Sequence, residues 1–344
     1  MAQAVATRVL SAARHGPPRR AASRSVDPET YEAYLKGRYH FNRRREQDLL
    51  KAVEYFERAI SRDPGYALAF AGLADCLNLM PQYGSTAPRD AIPRARKAAT
   101  QAIALDDDLA EAHTSLAWAL LTYDWDLAAA DREFRRAIDL NPNYETARMW
   151  YGFSLTWRGR FEEGAAQFQQ ARRLDPVASA MLSNIAMGFY LARDYDRAIR
   201  EAAALVELDD TYPANYVWRG LAQLQMGLRD EAVRSLEQGA GARSGASDSP
   251  VPGRLRVWGD RPERKSARDS RKDHEYLTEQ VRVAVDFAIV HLGLGEKAKA
   301  LDWLDRGIDE RGSEMMFIKT DPRFDLVRSE PRFKRLLRVM NFPN

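Results

Sequence analysis

The chain has 344 residues, 52 basic against 49 acidic, for a formal net charge of +3. An excess that small and that dispersed gives no strong case for nucleic acid as a partner, and no apolar run approaches the ~18 residues needed to cross a bilayer. The sole cysteine, Cys76, cannot close an internal disulfide, which suits a reducing, cytoplasmic compartment.

Residues 1–27 form a basic N-terminal stub. The first 26 residues hold five arginines (Arg8, Arg14, Arg19, Arg20, Arg24) and no acid. Two readings stand: a transit-peptide-like leader, or a short helix around Ala2–Ala13 followed by a Gly16–Pro18 linker.

From residue 28 to residue 240 the chain reads as six helical hairpins. A four-point signature marks the second helix of each. It is Ala52, Phe56, Ala59 and Pro64, then Ala95, Ala99, Ala102 and Asp107, then Ala130, Phe134, Ala137 and Pro142. It continues as Gly164, Phe168, Ala171 and Pro176, then Ala198, Ala202, Leu205 and Asp210, and finally Ala232, Leu236 and Gly239. From residue 130 onward the stride is 34 residues. A period of that length indicates stacked helical hairpins. Spacings of three to five put each set on one helical stripe, where small residues permit close helix approach and a larger one fills the gap. Proline then stops the helix. Each first helix offers a small residue in turn, at Ala74, Ala117, Gly152, Ala186 and Gly220, and Gly159 and Gly227 end first helices.

The cleanest stretch is 110–240. Earlier units are looser. The step from Gly37 to Ala52 is three residues longer than ideal, and the step from Ala74 to Ala95 nine longer. The second insert, around Pro81–Ser85, maps to the turn between two helices, as a contact loop or as a neutral insertion.

The pattern is lost over 241–275, which carry nine basic and six acidic residues. It returns in phase, because Ala232 to Ala300 is 68 residues, two strides of 34. The slot reads as a flexible, disordered linker, as a basic contact segment, or as a degenerate repeat that kept its length. Residues 276–314 rebuild a seventh hairpin at Ala288, Gly295, Ala300 and Leu304. Residues 315–344 read as a helical cap built on a near-duplicate, Asp321-Pro322-Arg323-Phe324 and Glu330-Pro331-Arg332-Phe333. Acid followed by proline opens a helical turn, and each phenylalanine is expected to anchor its turn on the last hairpin. The competing reading is an anion site lined by Arg323, Arg328 and Arg332.

The repeated pattern resembles the tetratricopeptide repeat family. Residues 145–178 match its motif at Gly152, Phe168, Ala171 and Pro176, and depart where Gly164 replaces an alanine. The resemblance implies an all-α superhelical solenoid of about seven hairpins with a C-terminal helical cap. It also implies a concave groove lined by the first helices. The candidate partner-binding residues there are Tyr34, Arg38, Phe41, Trp118, Met149, Phe153, Trp157, Met187, Tyr190 and Leu221. Their aromatic and thioether character suits an adaptable apolar surface, and tight packing of these residues against one another is the other reading. Met149, Phe153 and Trp218 stand where relatives that hold acidic tails carry charge, so the expected partner is a protein or peptide with an apolar segment.

The opening Val26–Arg38, the tetrapeptide Tyr123-Asp124-Trp125-Asp126 and the C-terminal ending resemble repeat arrays of bacterial multi-domain regulators. In those proteins the array follows a winged-helix domain, a kinase or a cyclase. The expected function is a non-catalytic interaction scaffold, and the alternative is the sensory or regulatory module of such a system. No catalytic, metal or cofactor constellation emerges. His15, His40, His113, His274 and His291 are scattered, and Asp273-His274-Glu275 lies in the charged slot.

Overall fold

The computed structural model describes residues 26–43, 45–83, 86–175, 179–245 and 284–342. The readings made for residues 1–25, and most of the slot at 241–275, lie outside the described residues.

Each hairpin pairs two helices, and the first six pairs pack each on the next. In chain order they are α1 (Pro28–Asn42) with α2 (Glu46–Arg62), α3 (Ala67–Tyr83) with α4 (Pro88–Leu105), and α5 (Ala110–Ala119) with α6 (Leu127–Leu140). Then come α7 (Glu145–Trp157) with α8 (Phe161–Leu174), α9 (Ser179–Leu191) with α10 (Tyr195–Leu208), and α11 (Pro213–Gln225) with α12 (Arg229–Gly245). The seventh hairpin is α13 (Ala284–Gly293) with α14 (Lys297–Glu310). Two 3-10 turns, Ser313–Phe317 and Pro322–Val327, and a last helix, α15 (Pro331–Val339), complete the described residues, among which there is no strand.

Local chemistry sets the helix ends. Asp27 caps α1, its carboxylate accepting the Thr30 amide at 3.0 Å, with Pro28 at the first helical position. Asp126 caps α6 and Asp194 caps α10 in the same way.

The spacing of the signature has a direct steric cause. Phe56 lies between Gly37 of its own hairpin and Gly72 of the next. A Cβ at those glycines would stand 2.7 Å and 2.5 Å from the ring. Phe168 lies likewise between Gly152 and Gly188, at 2.7 Å and 3.1 Å. Each ring occupies volume that a side chain on the facing helices would need, so it joins its own hairpin to the following one. Gly164, the departure from the family motif, is explained by Thr156, whose Oγ1 fills the space of the missing methyl.

The register faults are taken up as helix. The nine-residue excess of the second hairpin lengthens α3 to Tyr83 and starts α4 at Pro88, so the insert is mostly helical and not one long loop. The third hairpin has a subtler excess: Ala117 to Ala130 is 13 positions, where Gly152 to Gly164 is 12. One π-helical turn, Leu120–Asp124, absorbs the added residue after α5.

First helices also touch the first helices of neighbouring hairpins, α3 on α5, α5 on α7, α7 on α9 and α9 on α11. They form a continuous inner row.

Candidate interaction surface

The inner row divides into two regions of different chemistry. In the first hairpins it is polar. Arg38 Nη1 donates to Asp75 Oδ2 at 3.0 Å, and its guanidinium lies 4.9 Å from the Phe41 ring centroid. Ser115 Oγ donates to the other Asp75 oxygen, and Asn78 Nδ2 donates to the Ser115 carbonyl at 2.9 Å. Tyr34 packs on Phe56 and Tyr66, at centroid distances of 5.9 Å and 5.5 Å. Burial raises the Tyr34 hydroxyl pKa to about 12.

From the third hairpin onward the row is aromatic. Trp118 meets Trp150 at 4.7 Å, Trp157 at 5.6 Å and Phe153 at 6.1 Å between centroids. Phe153 in turn contacts Phe168 at 5.4 Å. Tyr190 packs on Trp218 at 5.8 Å. Met149 accepts a contact from Asn184 Nδ2 at 3.6 Å, and Met187 and Leu221 are buried.

The sequence candidates thus fall into two clusters. Trp118, Phe153 and Trp157 come together directly, with Tyr190 on the next inner helix. Tyr34, Arg38 and Phe41 form a separate group on α1. Trp157 and Tyr190 are 1% and 0% exposed.

Part of what buries them is the C-terminal segment. Phe317 packs on Trp157 at a centroid distance of 5.0 Å. The Arg311 guanidinium lies 4.1 Å from the Trp125 ring centroid, and its Nη1 donates to the Tyr123 carbonyl at 2.8 Å. Asn341 Nδ2 donates to the Trp125 carbonyl at 3.1 Å. Arg193 and Asp325 pair at 2.7 Å. Residues 311–341 therefore lie against the turns of hairpins three and five and against Trp157 of the inner row.

The same segment holds the seventh hairpin. Phe324 and Phe333 are fully buried and stack 6.2 Å apart. Arg332 binds Asp305 at 2.6 Å and Asp302 at 2.8 Å on α14. Arg323 is forked onto Asp321, and Arg328 donates to the Lys319 and Asp321 carbonyls. All three arginines of the proposed anion site are engaged inside the chain. Burial raises the Glu314 pKa to about 7, with Asp286 adding to it. It raises Asp286 to about 6, against the pull of Arg323. Buried Tyr190 faces Asp321 and Arg323, and burial pushes its hydroxyl well above the usual range.

Among the described residues, several buried donors here have no hydrogen-bond partner, among them the indole N–H groups of Trp118, Trp125 and Trp157 and the Tyr190 hydroxyl. Among the described residues no group of three or more His, Cys, Asp or Glu is arranged to hold a metal, and no helix is long and apolar enough to cross a membrane.

Sequence reasoning did not single out Trp125, Arg193, Arg311 or Asn341 as functional. The signal for the first two lies in the stride. The turn of each hairpin from the third to the sixth has an equivalent residue at 125, 159, 193 and 227, and glycine occupies only 159 and 227.

The model of the tetratricopeptide repeat family matches residues 158–215, and the described helical hairpins have the all-α solenoid fold of such repeats. Yeast Tom70 has a similar structure, with a TM-score of 0.51 at 12% identity over 91% of this chain and 68% of that one. PilW, a type IV pilus biogenesis factor, gives 0.50 at 17% identity over 64% of this chain and 96% of that one. At such identities the likeness speaks for the fold alone. In sequence the chain is similar to the transcriptional regulator HilA of Salmonella typhimurium, 24% identical over 147 residues, or 43% of this chain. That match spans 26% of the regulator's length.

Proposed function

We propose that the chain is a non-catalytic scaffold, working in the cytoplasm, that binds a protein or peptide with an apolar segment along the inner row of hairpins three to five. The tetratricopeptide fold is a protein-interaction fold, and stacked hairpins offer one extended surface. The observation that carries the reading is that the aromatic row already packs against polypeptide from outside the first six repeats, with Phe317 on Trp157. Met149, Met187 and Leu221 extend that row with side chains that adapt to different apolar shapes. The polar group at Arg38 and Asp75 sets the other end of the row, where Tyr34 and Phe41 offer a smaller aromatic contact.

The reading is tested by selecting displayed peptides on the full chain and mapping each bound peptide by hydrogen exchange. Added protection in α5, α7 and α9 is expected. Peptides that protect only the second helices, or a selection with no enrichment, would sink it.

A second reading, the regulatory module of a transcriptional regulator, is favoured by the match to HilA. Its test is whether fusion of the chain to a DNA-binding domain makes reporter output respond to a groove-binding peptide.

A further inference from the structure

Equivalent turns of this array are built from different residues, and the difference follows the C-terminal segment. The turn residue of each hairpin from the third to the seventh adopts a positive φ. It is glycine in three hairpins, at Gly159 (φ 85°), Gly227 (φ 78°) and Gly295 (φ 77°). In the other two it is Trp125 (φ 57°) and Arg193 (φ 64°). A side chain in that region of backbone space is strained, and glycine removes the strain at no steric expense. Nothing stands within 4 Å of a Cβ built at Gly159 or Gly227, so space is not what selects glycine there.

Both turns that keep a side chain touch the C-terminal segment. Trp125 carries Arg311 on its ring and Asn341 on its carbonyl, and Arg193 carries Asp325. The only other non-glycine residues with positive φ among those described are Arg311 (φ 54°) and Asn341 (φ 55°), the two that meet Trp125. Every such residue thus sits at one junction. Strain concentrated in this way marks a built contact.

The junction is also incomplete in one respect. The indole N–H groups of Trp125 and Trp157 and the Tyr190 hydroxyl, which face the segment, have no hydrogen-bond partner among the described residues. A buried donor without an acceptor weakens the state that contains it. An occupant that brought carbonyl oxygens to these donors would hold the row better than the resident one does.

We propose that residues 311–341 are a resident ligand of the groove, and that the external partner is a protein segment of the same chemistry that displaces them. The contacts define that chemistry: a basic residue to lie on Trp125, an aromatic residue six positions later for Trp157, and an acid eight positions further for Arg193. This rests on the reading of the inner row as a protein-binding surface and adds its regulation: the groove is closed until a competitor arrives. A tethered ligand acts at high effective concentration, so the intact chain should bind such a segment weakly.

The experiment uses a fluorescent synthetic peptide of residues 309–328 as probe. Its anisotropy is followed with the full wild-type chain and with the full chain carrying Arg311→Ala, Phe317→Ala and Asp325→Ala. Binding at least tenfold tighter to the triple variant is expected, lost when the probe itself carries Phe317→Ala. Equal binding by the two proteins, or no binding to the triple variant, would overturn the proposal. Hydrogen exchange in α7 to α10 shows whether the triple variant keeps its array. If it does not, Asp325→Asn decides the matter, because it breaks only half-exposed ion pairs, to Arg193 and Arg328: a smaller gain in the same direction is expected, and no gain overturns. A wild-type dimer that grows with concentration and vanishes in the triple variant would place the segment in a second copy and overturn docking within one chain. If selected peptides protect α5, α7 and α9 while the probe binds both proteins equally, the scaffold reading stands and the competition falls.

Discussion

The turn at Gly159 and the turn at Arg193 are one stride apart and do the same mechanical work, yet only one carries a side chain. Both reverse the chain between paired helices through a residue at positive φ. At Gly159 the reversal is all that is needed, and glycine supplies it. At Arg193 the side chain reaches Asp325, and the backbone bears the strain. Trp125 repeats the lesson more forcefully, since its indole is buried and carries Arg311. A repeat position is therefore governed by two demands: the fold fixes the backbone conformation, and a non-repeat contact overrides the residue best suited to it.

The largest expected effect comes from removing the aromatic that fills the space against Trp157. Phe317→Ala should loosen the C-terminal segment by about 2 kcal/mol, the scale of one aromatic side chain returned to water. Exchange over 313–327 reports it, with α7 and α8 unchanged. If α7 and α8 loosen equally, the segment is part of the array and not a ligand on it.

Gly159→Arg makes the plain turn resemble the one at Arg193 without supplying an Asp325. Denaturant unfolding should show a loss of about 1 kcal/mol, the strain of one side chain at positive φ. No loss would mean that the glycine turns are not chosen for their backbone.

The pH dependence separates the two regions further. Glu314 and Asp286 titrate at about 7 and about 6 because burial favours their protonated forms. Glu314 faces Asp286, and Asp286 faces Arg323, which also meets Asp321 and Tyr190. Raised carboxyl pKa values mean that the docked state holds more protons than the undocked one above the ordinary carboxylate range. Through these two groups docking weakens as pH rises through 6 and 7, and the lowered Asp325 carboxyl, paired with Arg193, confines the opposite loss to acid below the ordinary aspartate range. Intrinsically corrected exchange over 313–327 should speed up across that window, and Glu314→Gln should flatten the response. Exchange in α7 and α8 should not follow it.

The smallest effect is the most discriminating. Arg193→Gly relieves strain at the turn and removes an exposed ion pair worth up to about 1 kcal/mol. Global stability should stay within about 0.5 kcal/mol by denaturant unfolding, while the probe peptide gains access. A clear stabilisation without a change in peptide binding would separate the strain from the docking.

The array was legible in the sequence because every hairpin repeats the same local problem. Phe56 and Phe168 need small residues opposite them, and that need recurs from hairpin to hairpin, at a fixed stride from residue 130 onward. The nine-residue excess before Ala95 was visible as a number, but its helical form was not, since added turns and added loop look alike in spacing. The single extra residue behind the π-helical turn at Leu120–Asp124 was hidden by the intact stride of the second helices and shows only between Ala117 and Ala130. The inner placement of Trp157 and Tyr190 followed from register. What lies on them did not, because Arg311 meets Tyr123 across 188 residues and Asn341 meets Trp125 across 216. No periodicity reports a contact that occurs once.

Hydrogen exchange over residues 313–327 of the intact chain tests the central claim most directly. A resident ligand with Phe317 on Trp157 and Arg311 on Trp125 should exchange slowly in the wild-type chain and rapidly in the triple variant, with α7 to α10 protected in both. Residues 313–327 that exchange in the wild type as a free peptide does would contradict the account.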